Sequence, residues 1–589
     1  MWARASWIAW AADRATSSLA ALAGAWFFKI SERPHAIIEV GVPVAFAIAL
    51  LPSIYIKPVI AKRLAIFFVL ISAYLMQPFL RIDAHSEQFD LATAPAIPPV
   101  HSDFVAAENK PDVILISVDT LRADVLNRVS LPALKALAEQ SITAPYALAP
   151  SSATLPSHIS MVTGESPLQH AAYTNFGKMP AAMPTLAAVF NELGFRTIGT
   201  AANGLLDSYT GFNRGFELLV NVAGDEHKDS TSPVAVAVTG RRMVWYAAPF
   251  SDMYAQRISK FLVTRIYSGY DDIQEGAEAT APVVTDLTLR YLDDLYASDT
   301  PFFYFLHFMD PHLPYHANEP FLGQLNGDRP LPAMYQEYES GSLVLCRSAI
   351  STANQSDDSD DVRDAQQVIG IMHDRYHEEM LMVDDALAKV FARVAQSQRP
   401  TVILFTSDHG EHFGENGLML HGDFVHAATL RVPFMLSVPG MAAGQFTDVV
   451  PTLQDIPLTL LSAAGFNIQD FGSGRNLLSS TLEATPFAST ADKFLAVQNH
   501  DFKLICSFKS SLGAKSVVQP LALYSLAIGG LEEAHNLLND AQYGDSQRQL
   551  LELAEKYRDA SIVKGMRKFD AQEVADLDAL GYALDEDVE

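Results

Sequence analysis

Three apolar runs in this 589-residue chain end in side chains able to bind a metal or move a proton. Asp119 follows VILISV, Asp408 and His409 follow VILFTS, and His307, Asp310 and His312 come with FFYFLHFMDPH. Ligands of open α/β sheets collect beyond the carboxyl ends of the strands, so polar residues delivered there meet in space although far apart in sequence. One Asp after a strand is ordinarily a turn or cap residue. Two carboxylates and an imidazole arriving together instead suit one divalent ion, with coordination positions left open for a nucleophile and an ester oxygen. These donor types do not distinguish Mn, Mg, Ca and Zn.

A fourth segment, PSSATLPSHISMVTG, offers a nucleophile. Pro156 is tolerated in a first helical turn and marks a helix start, which places Thr154 at the amino end. A hydroxyl there faces unpaired backbone N–H groups and the positive end of the helix dipole, a cradle for an anionic ester. Taken alone, Thr154 reads equally as a simple N-cap.

The ordered segments SVDTLRAD, TLPSHISMVTG, FLHFMDPHLPY, TSDHGEHFGENG, HGDFVHAATLRVP and the closing LGYAL resemble the sulfatase family of the alkaline phosphatase superfamily, over residues 111–480 with weaker echoes to the end. The resemblance implies an alkaline-phosphatase-like α/β fold with Asp119, Asp408 and His409 as metal ligands. It makes Thr154 the nucleophile and a further metal ligand, and His312 and His421 contacts to a substrate oxygen or the leaving group. His158 and Arg122 become candidate substrate contacts, although Arg122 suits an external salt bridge equally well. His307 is expected to pack at its strand end, and His412 and His426 to be loop or helix residues.

The sequence departs from sulfatases at three positions. Their Cys-x-Pro-Ser-Arg motif, whose cysteine is oxidised to formylglycine, is here Thr154, Leu155, Pro156, Ser157 and His158, so the motif arginine is replaced as well. Thr120 stands where many sulfatases carry a second metal-binding aspartate. The hydrate of formylglycine expels sulfate through its second hydroxyl by C–O cleavage, an exit that a plain alcohol lacks. A phosphothreonine is resolved instead by water or an acceptor hydroxyl attacking phosphorus. Thr154 therefore resembles the nucleophile of the phosphodiesterase and phosphoglycerol- or phosphoethanolamine-transferase branches. The expected activity is metal-dependent hydrolysis or transfer of a phosphate-type ester. The rival readings are a sulfuric ester hydrolase without formylglycine and a catalytically degenerate, anion-binding envelope protein.

The elements that must position these residues follow from hydropathy. Strand-like runs at 113–118, 195–201, 302–308 and 402–407 alternate with helical patterns near 132–140 and 183–193. Apolar strands lacking in/out alternation are buried on both faces, which predicts a mainly parallel central sheet flanked by helices over residues 111–480. YHEEMLMVDDALAKVF reads as a packing helix. Residues 222–280 and 320–365 read as insertions, with the acid run SDDSDD at 356–361 as a solvated loop. FLAVQNH and FKLICSF, followed by a helical tail, predict a small α+β subdomain over 481–589.

Ahead of the catalytic region, residues 64–80 carry no charge and nearly suffice to cross a bilayer, and 36–56 and 15–30 are weaker candidates. Residues 1–85 are thus expected to form an anchor of about three transmembrane helices, and the proline-rich 86–110 a linker. The basic KPVIAKR loop belongs on the cytoplasmic side, which puts the catalytic domain outside a cell membrane. A tethered enzyme suggests a lipid or envelope-glycan substrate. Residues 1–85 hold eight Lys and Arg against four Asp and Glu, about +4, so of the net charge of -27 about -31 falls on residues 86–589, which argues against nucleic acid as a partner of the soluble part. Cys346 and Cys506 lack metal-site spacing, and whether they pair is open from sequence.

Overall fold

Strands β1 (Asp112–Val118), β2 (Ile142–Leu148), β3 (Arg196–Ala201), β4 (Leu218–Asn221), β5 (Phe302–Phe308), β6 (Thr401–Thr406), β9 (Arg431–Ser437) and β10 (Gly444–Gln445) form one sheet in the order β10-β2-β9-β6-β1-β5-β3-β4. Only β9 runs against its neighbours, β2 and β6; every other pairing is parallel. Between β6 and β9, β7 (His412–Phe413) and β8 (Met419–Leu420) make a small antiparallel pair. This computed structural model describes residues 91–223 and 280–565, apart from short internal stretches. The expected membrane spans, most of the 222–280 insertion and the tail beyond 565 lie outside the described residues. Among the described residues, no helix is long and apolar enough to cross a membrane.

The missing hydropathic alternation has the expected cause. Ile114 and Ile116 of β1, with Tyr304 and Leu306 of β5, enter one core, while Val113, Leu115, Phe303 and Phe305 enter another on the opposite face. Side chains still alternate, but both destinations are apolar. The helices covering these faces are α1 (Pro132–Ala138), α2 (Thr154–Thr163), α3 (Leu186–Glu192), α4 (Ala281–Tyr296), α5 (Leu343–Gln355), α6 (Ser359–Ser397) and α7 (Ile456–Ala463).

Register brings the chemistry together. Val118 of β1 pairs with Phe308 of β5, and Ser117 with Thr406 of β6, so the three central strands end level. Asp119, Asp310 and Asp408 therefore leave the same edge. Asp310 turns away to accept hydrogen bonds from the N–H groups of Thr280 and Ala281 at the start of α4, which makes it a helix cap.

The 320–365 segment differs from expectation. SDDSDD is solvent-facing as expected but only its first half is loop: Ser359, Asp360 and Asp361 open the 39-residue α6, and Asp358 caps it by accepting from the Asp360 N–H. Carboxylates favour the positive end of a helix, so an acid run directly before an amphipathic stretch reads as a helix start. Cys346 lies in the first core and Cys506 in the third, with no disulfide between them.

Beyond the main sheet, β11 (Phe487–Ala491), β12 (Phe494–Gln498), β13 (Phe502–Ser507) and β14 (Gln519–Ser525) form an antiparallel sheet. Helix α8 (Gly544–Gly565) packs on it through Leu550 and Ala554 against Leu504 and Leu523. The Thr490 N–H donates to the Pro150 carbonyl, which ties this sheet to the segment leading into α2.

The packing reading of the helix at 376–391 can be tested at adjacent acids. Asp384 is buried and accepts from the Ala133 and Leu134 N–H groups at the start of α1, whereas Asp385 pairs with Lys389 at the surface. Asp384→Ala should cost about 1–2 kcal/mol. Asp385→Ala should leave the urea unfolding midpoint unchanged, as exposed pairs contribute little. Equal midpoints for the two variants would contradict the cap.

Candidate active site

Asp119 leaves β1 with its backbone still paired, its N–H donating to the Phe308 carbonyl. Its Oδ2 accepts from Asn203 Nδ2 at 3.0 Å and lies 3.5 Å from His307 Nε2. Its Oδ1 is buried without a hydrogen-bond partner. Thr120 follows with φ 56°, a left-handed conformation, and its N–H donates to Asp408 Oδ1 at 3.2 Å. The His409 N–H donates to the same oxygen at 2.8 Å. Asp408 Oδ2 is left 3.3 Å from His409 Nε2 and, like Asp119 Oδ1, has no hydrogen-bond partner.

Two orphan carboxylate oxygens in a dry site are costly. Burial, followed by the charge of Asp119, pushes the Asp408 carboxyl well above the usual carboxylate range. Burial opposes the charge of Asp119 too, but His307, His312 and His409 together hold it low. A divalent cation would remove the repulsion between the carboxylates and give both oxygens a partner. One atom each from Asp119, Asp408 and His409 lies within 4.8 Å of the others, so the donor set fits such an ion. Burial, then the neighbouring His421, holds the His409 imidazole well below its ordinary range, in the neutral form that ligates metals.

Thr154 is the first residue of α2, 1% exposed, with its Oγ1 3.3 Å from His409 Nε2. The helix is fixed in place because Ser157 Oγ donates to the Asp408 carbonyl at 2.6 Å. Thr154 and the Asp408–His409 segment are thus held by a direct link between α2 and the end of β6.

The His421 ring lies 4.5 Å from that of His409 and the His312 ring 4.9 Å from His421, centroid to centroid. His421 Nδ1 lies 3.1 Å from both oxygens of buried Glu411, which also accepts from Tyr315 Oη at 3.0 Å. Burial works against a charge on His421, but Glu411 outweighs it and holds the imidazole above its ordinary range. His312 Nδ1 lies 2.6 Å from the Leu313 carbonyl, and burial lowers its basicity.

Two candidate substrate contacts stand elsewhere. The Arg122 guanidinium is fully buried and engaged by Asp124, by Glu415 at 2.8 Å and by the Glu411 carbonyl at 3.1 Å, so it is a structural ion pair rather than an anion clamp. The salt bridge is internal, not external. His158 is likewise buried, its Nδ1 2.9 Å from the Thr154 carbonyl and its Nε2 3.0 Å from Ser117 Oγ. Burial lowers its pKa to about 3, so the ring is neutral, and both nitrogens are used behind the site. It positions Thr154 and carries no charge to a substrate.

Glu411, Asn203 and the contact of His307 with Asp119 were not read from the sequence as site features. Asn203 had a signal, since it follows the carboxyl end of β3, where polar residues converge. Glu411 sits inside the SDHGEH landmark, but its role depends on His421 folding back across the β7–β8 pair, which spacing does not reveal.

The sulfatase family model matches residues 111–466. A choline-sulfatase of Rhizobium meliloti is 24% identical over 381 residues, covering 61% of this chain and 69% of that protein. A multifunctional alkaline phosphatase superfamily protein of Trinickia caryophylli is 28% identical over 215 residues, covering 34% of this chain and 41% of the relative. Among solved structures, the phosphonate monoester hydrolase of Agrobacterium radiobacter superposes with a TM-score of 0.55 at 18% identity, over 77% of this chain and 96% of that one. A structure solved with its substrate D-glucosamine-2-N,6-O-disulfate gives 0.54 at 14% identity, over 77% and 98%. At such identities the superpositions show a shared fold. The family match, the mainly parallel sheet and the cluster at its carboxyl edge together lead to one conclusion: the chain belongs to the sulfatase family of the alkaline phosphatase superfamily, a family of ester hydrolases.

Proposed function

We propose that this enzyme acts on monoanionic phosphate-type esters, phosphodiesters foremost, through a covalent intermediate on Thr154. The observation that carries this reading is the Thr154 hydroxyl at the amino end of α2, 3.3 Å from His409 and beside the two orphan carboxylate oxygens. A divalent ion held by Asp119, Asp408, His409 and the Thr154 oxygen would polarise an ester oxygen and make the hydroxyl more acidic. The positive end of the α2 dipole favours negative charge on the attacked group, although the Leu155 N–H is taken by Asn175 Oδ1, the Ser157 N–H by the Ala153 carbonyl, and Pro156 has none. His421, whose basicity Glu411 raises and whose ring lies 4.5 Å from that of His409, is the candidate to donate a proton to the departing oxygen. His312 supports it.

The charge inventory favours monoanions. The neighbours of Asp119 are histidines rather than arginines or lysines, Arg122 is engaged elsewhere, and His158 is neutral. A second negative charge on the reacting group, as in a phosphomonoester dianion, would meet no guanidinium. Water resolving the phosphothreonine makes a hydrolase; a sugar or lipid hydroxyl makes a transferase. The choline-sulfatase relative supports a second reading, hydrolysis of a sulfate monoester, which is also a monoanion. We further propose residues 1–85 as a membrane anchor, 86–110 as a linker and an extracytoplasmic catalytic domain, which brings lipid or envelope-glycan esters within reach.

With the purified full chain and added Mn²⁺, Mg²⁺, Ca²⁺ or Zn²⁺, kcat/KM should be higher for an aryl phosphodiester than for the matching phosphomonoester. Thr154→Ala should lower kcat by at least about a thousandfold. Sulfate release that depends on Thr154 and exceeds diester cleavage would select the second reading. His421→Ala should lower turnover by roughly a hundredfold or more for alkyl leaving groups and much less for nitrophenolate, which departs unprotonated. Equal losses on both would remove His421 as the proton donor. Alkaline carbonate should leave the chain in the membrane pellet; its release would refute the anchor.

A further inference from the structure

His312 takes its direction from its own loop. Its Nδ1 lies 2.6 Å from the Leu313 carbonyl, so the ring turns with the backbone of residues 310–316. That segment, DPHLPYH, leaves β5 without joining a further strand, and Pro311 and Pro314 bring no N–H to pair. Past His312, whose N–H donates to the Met309 carbonyl, the His316 N–H is the next backbone donor of the loop with a partner among the described residues. The segment is held through side chains instead: Asp310 accepts at the start of α4, Tyr315 Oη donates to Glu411, and the His316 N–H donates to Glu379 Oε1 at 2.7 Å.

Glu379 belongs to α6 and is 1% exposed, and its helix neighbours Tyr376, Met380 and Val383 lie in the first core, so its carboxyl stands on fixed ground. Its Oε2 is buried with no hydrogen-bond partner. Burial first, then the charge of Asp310, pushes the carboxyl well above the usual carboxylate range. The group is therefore neutral and acts through the oxygen that accepts from His316. The adjacent Glu378 takes a different stretch of chain, accepting from the N–H groups of Gly323, Leu325 and Asn326.

We propose that Glu379 is a positioning residue for the reaction: by taking the His316 N–H it fixes the segment that holds the His312 ring beside that of His421, an assignment that rests on the reading of these two histidines as partners of the departing oxygen. Loss of the acceptor frees the distal end of a short loop whose remaining ties are Asp310 and the Tyr315 side chain. The effect falls on the step that protonates the leaving group and leaves substrate binding unchanged.

The test compares leaving groups in the full chain. Glu379→Ala should lower kcat for an alkyl phosphodiester by about tenfold, with KM within about twofold of wild type, and change kcat for the nitrophenyl diester by less than about twofold. Glu379→Gln, whose carboxamide oxygen still accepts from the His316 N–H, should keep both near wild type. Glu378→Ala, which frees residues 323–326 instead, should lower the melting temperature without a leaving-group difference. Should Glu379→Ala not fold, Glu379→Met keeps the volume, lacks the oxygen and gives the same comparison. Equal losses on both substrates, no loss on either, a Gln variant as impaired as Ala, or the same leaving-group difference in Glu378→Ala would overturn the assignment. His421→Ala assayed alongside separates the two levels: no leaving-group difference there refutes the proton-donor reading and Glu379 with it, whereas a difference there and none in Glu379→Ala refutes Glu379 alone.

Discussion

The costliest feature of the molecule is the placement of two fully buried carboxylates, Asp119 and Asp408, at the level ends of adjacent parallel strands. Each keeps one oxygen without a partner, and every surrounding group serves to hold the other oxygen still. Asn203 fixes Asp119, and the N–H groups of Thr120 and His409 fix Asp408. The left-handed turn at Thr120 is part of this arrangement, because it carries the backbone of β1 across to the carboxylate at the end of β6. Two bare carboxylate oxygens aimed at one point, with an imidazole beside them, make a candidate cation site.

The central sheet was legible because its physics is local. Each strand is a short apolar run, and burial on both faces is visible as the absence of a polar stripe; the level endings of β1, β5 and β6 then follow from parallel pairing. The cluster of Asp119, Asp408 and His409 was legible for the same reason, its members following directly on those runs. Asp310 occupied an equivalent sequence position and went elsewhere, since the N–H groups at the start of α4 offered it donors. No one-dimensional pattern separates the two fates, as both are what an aspartate after a strand does.

Arg122 and His158 show the same difficulty with charged side chains. Both stand close in sequence to the functional residues, and family resemblance made both candidates for gripping the substrate. Their partners come from distant positions: Glu415 and the Glu411 carbonyl for Arg122, Ser117 for His158. A buried guanidinium is retained only when its charge is matched and its donors are used, so Arg122 serves the loop that carries the metal ligands and leaves the anion to others. With a neutral histidine where the family's motif has arginine, the amino end of α2 carries no guanidinium, and the Thr154 hydroxyl has His409 as its neighbour.

Glu411 links these parts. Its carbonyl accepts from Arg122 behind the site, while its carboxylate contacts His421 in front and accepts from Tyr315. One residue therefore connects the ion pair that supports the β7–β8 region to the His421 imidazole. Because Glu411 is wholly buried, its charge acts on His421 through a low dielectric and raises the basicity of that ring. The basicity of His421 is consequently a property of the folded loop as a whole, set by the same packing that secures Arg122, and cannot be transferred to another site by moving His421 alone.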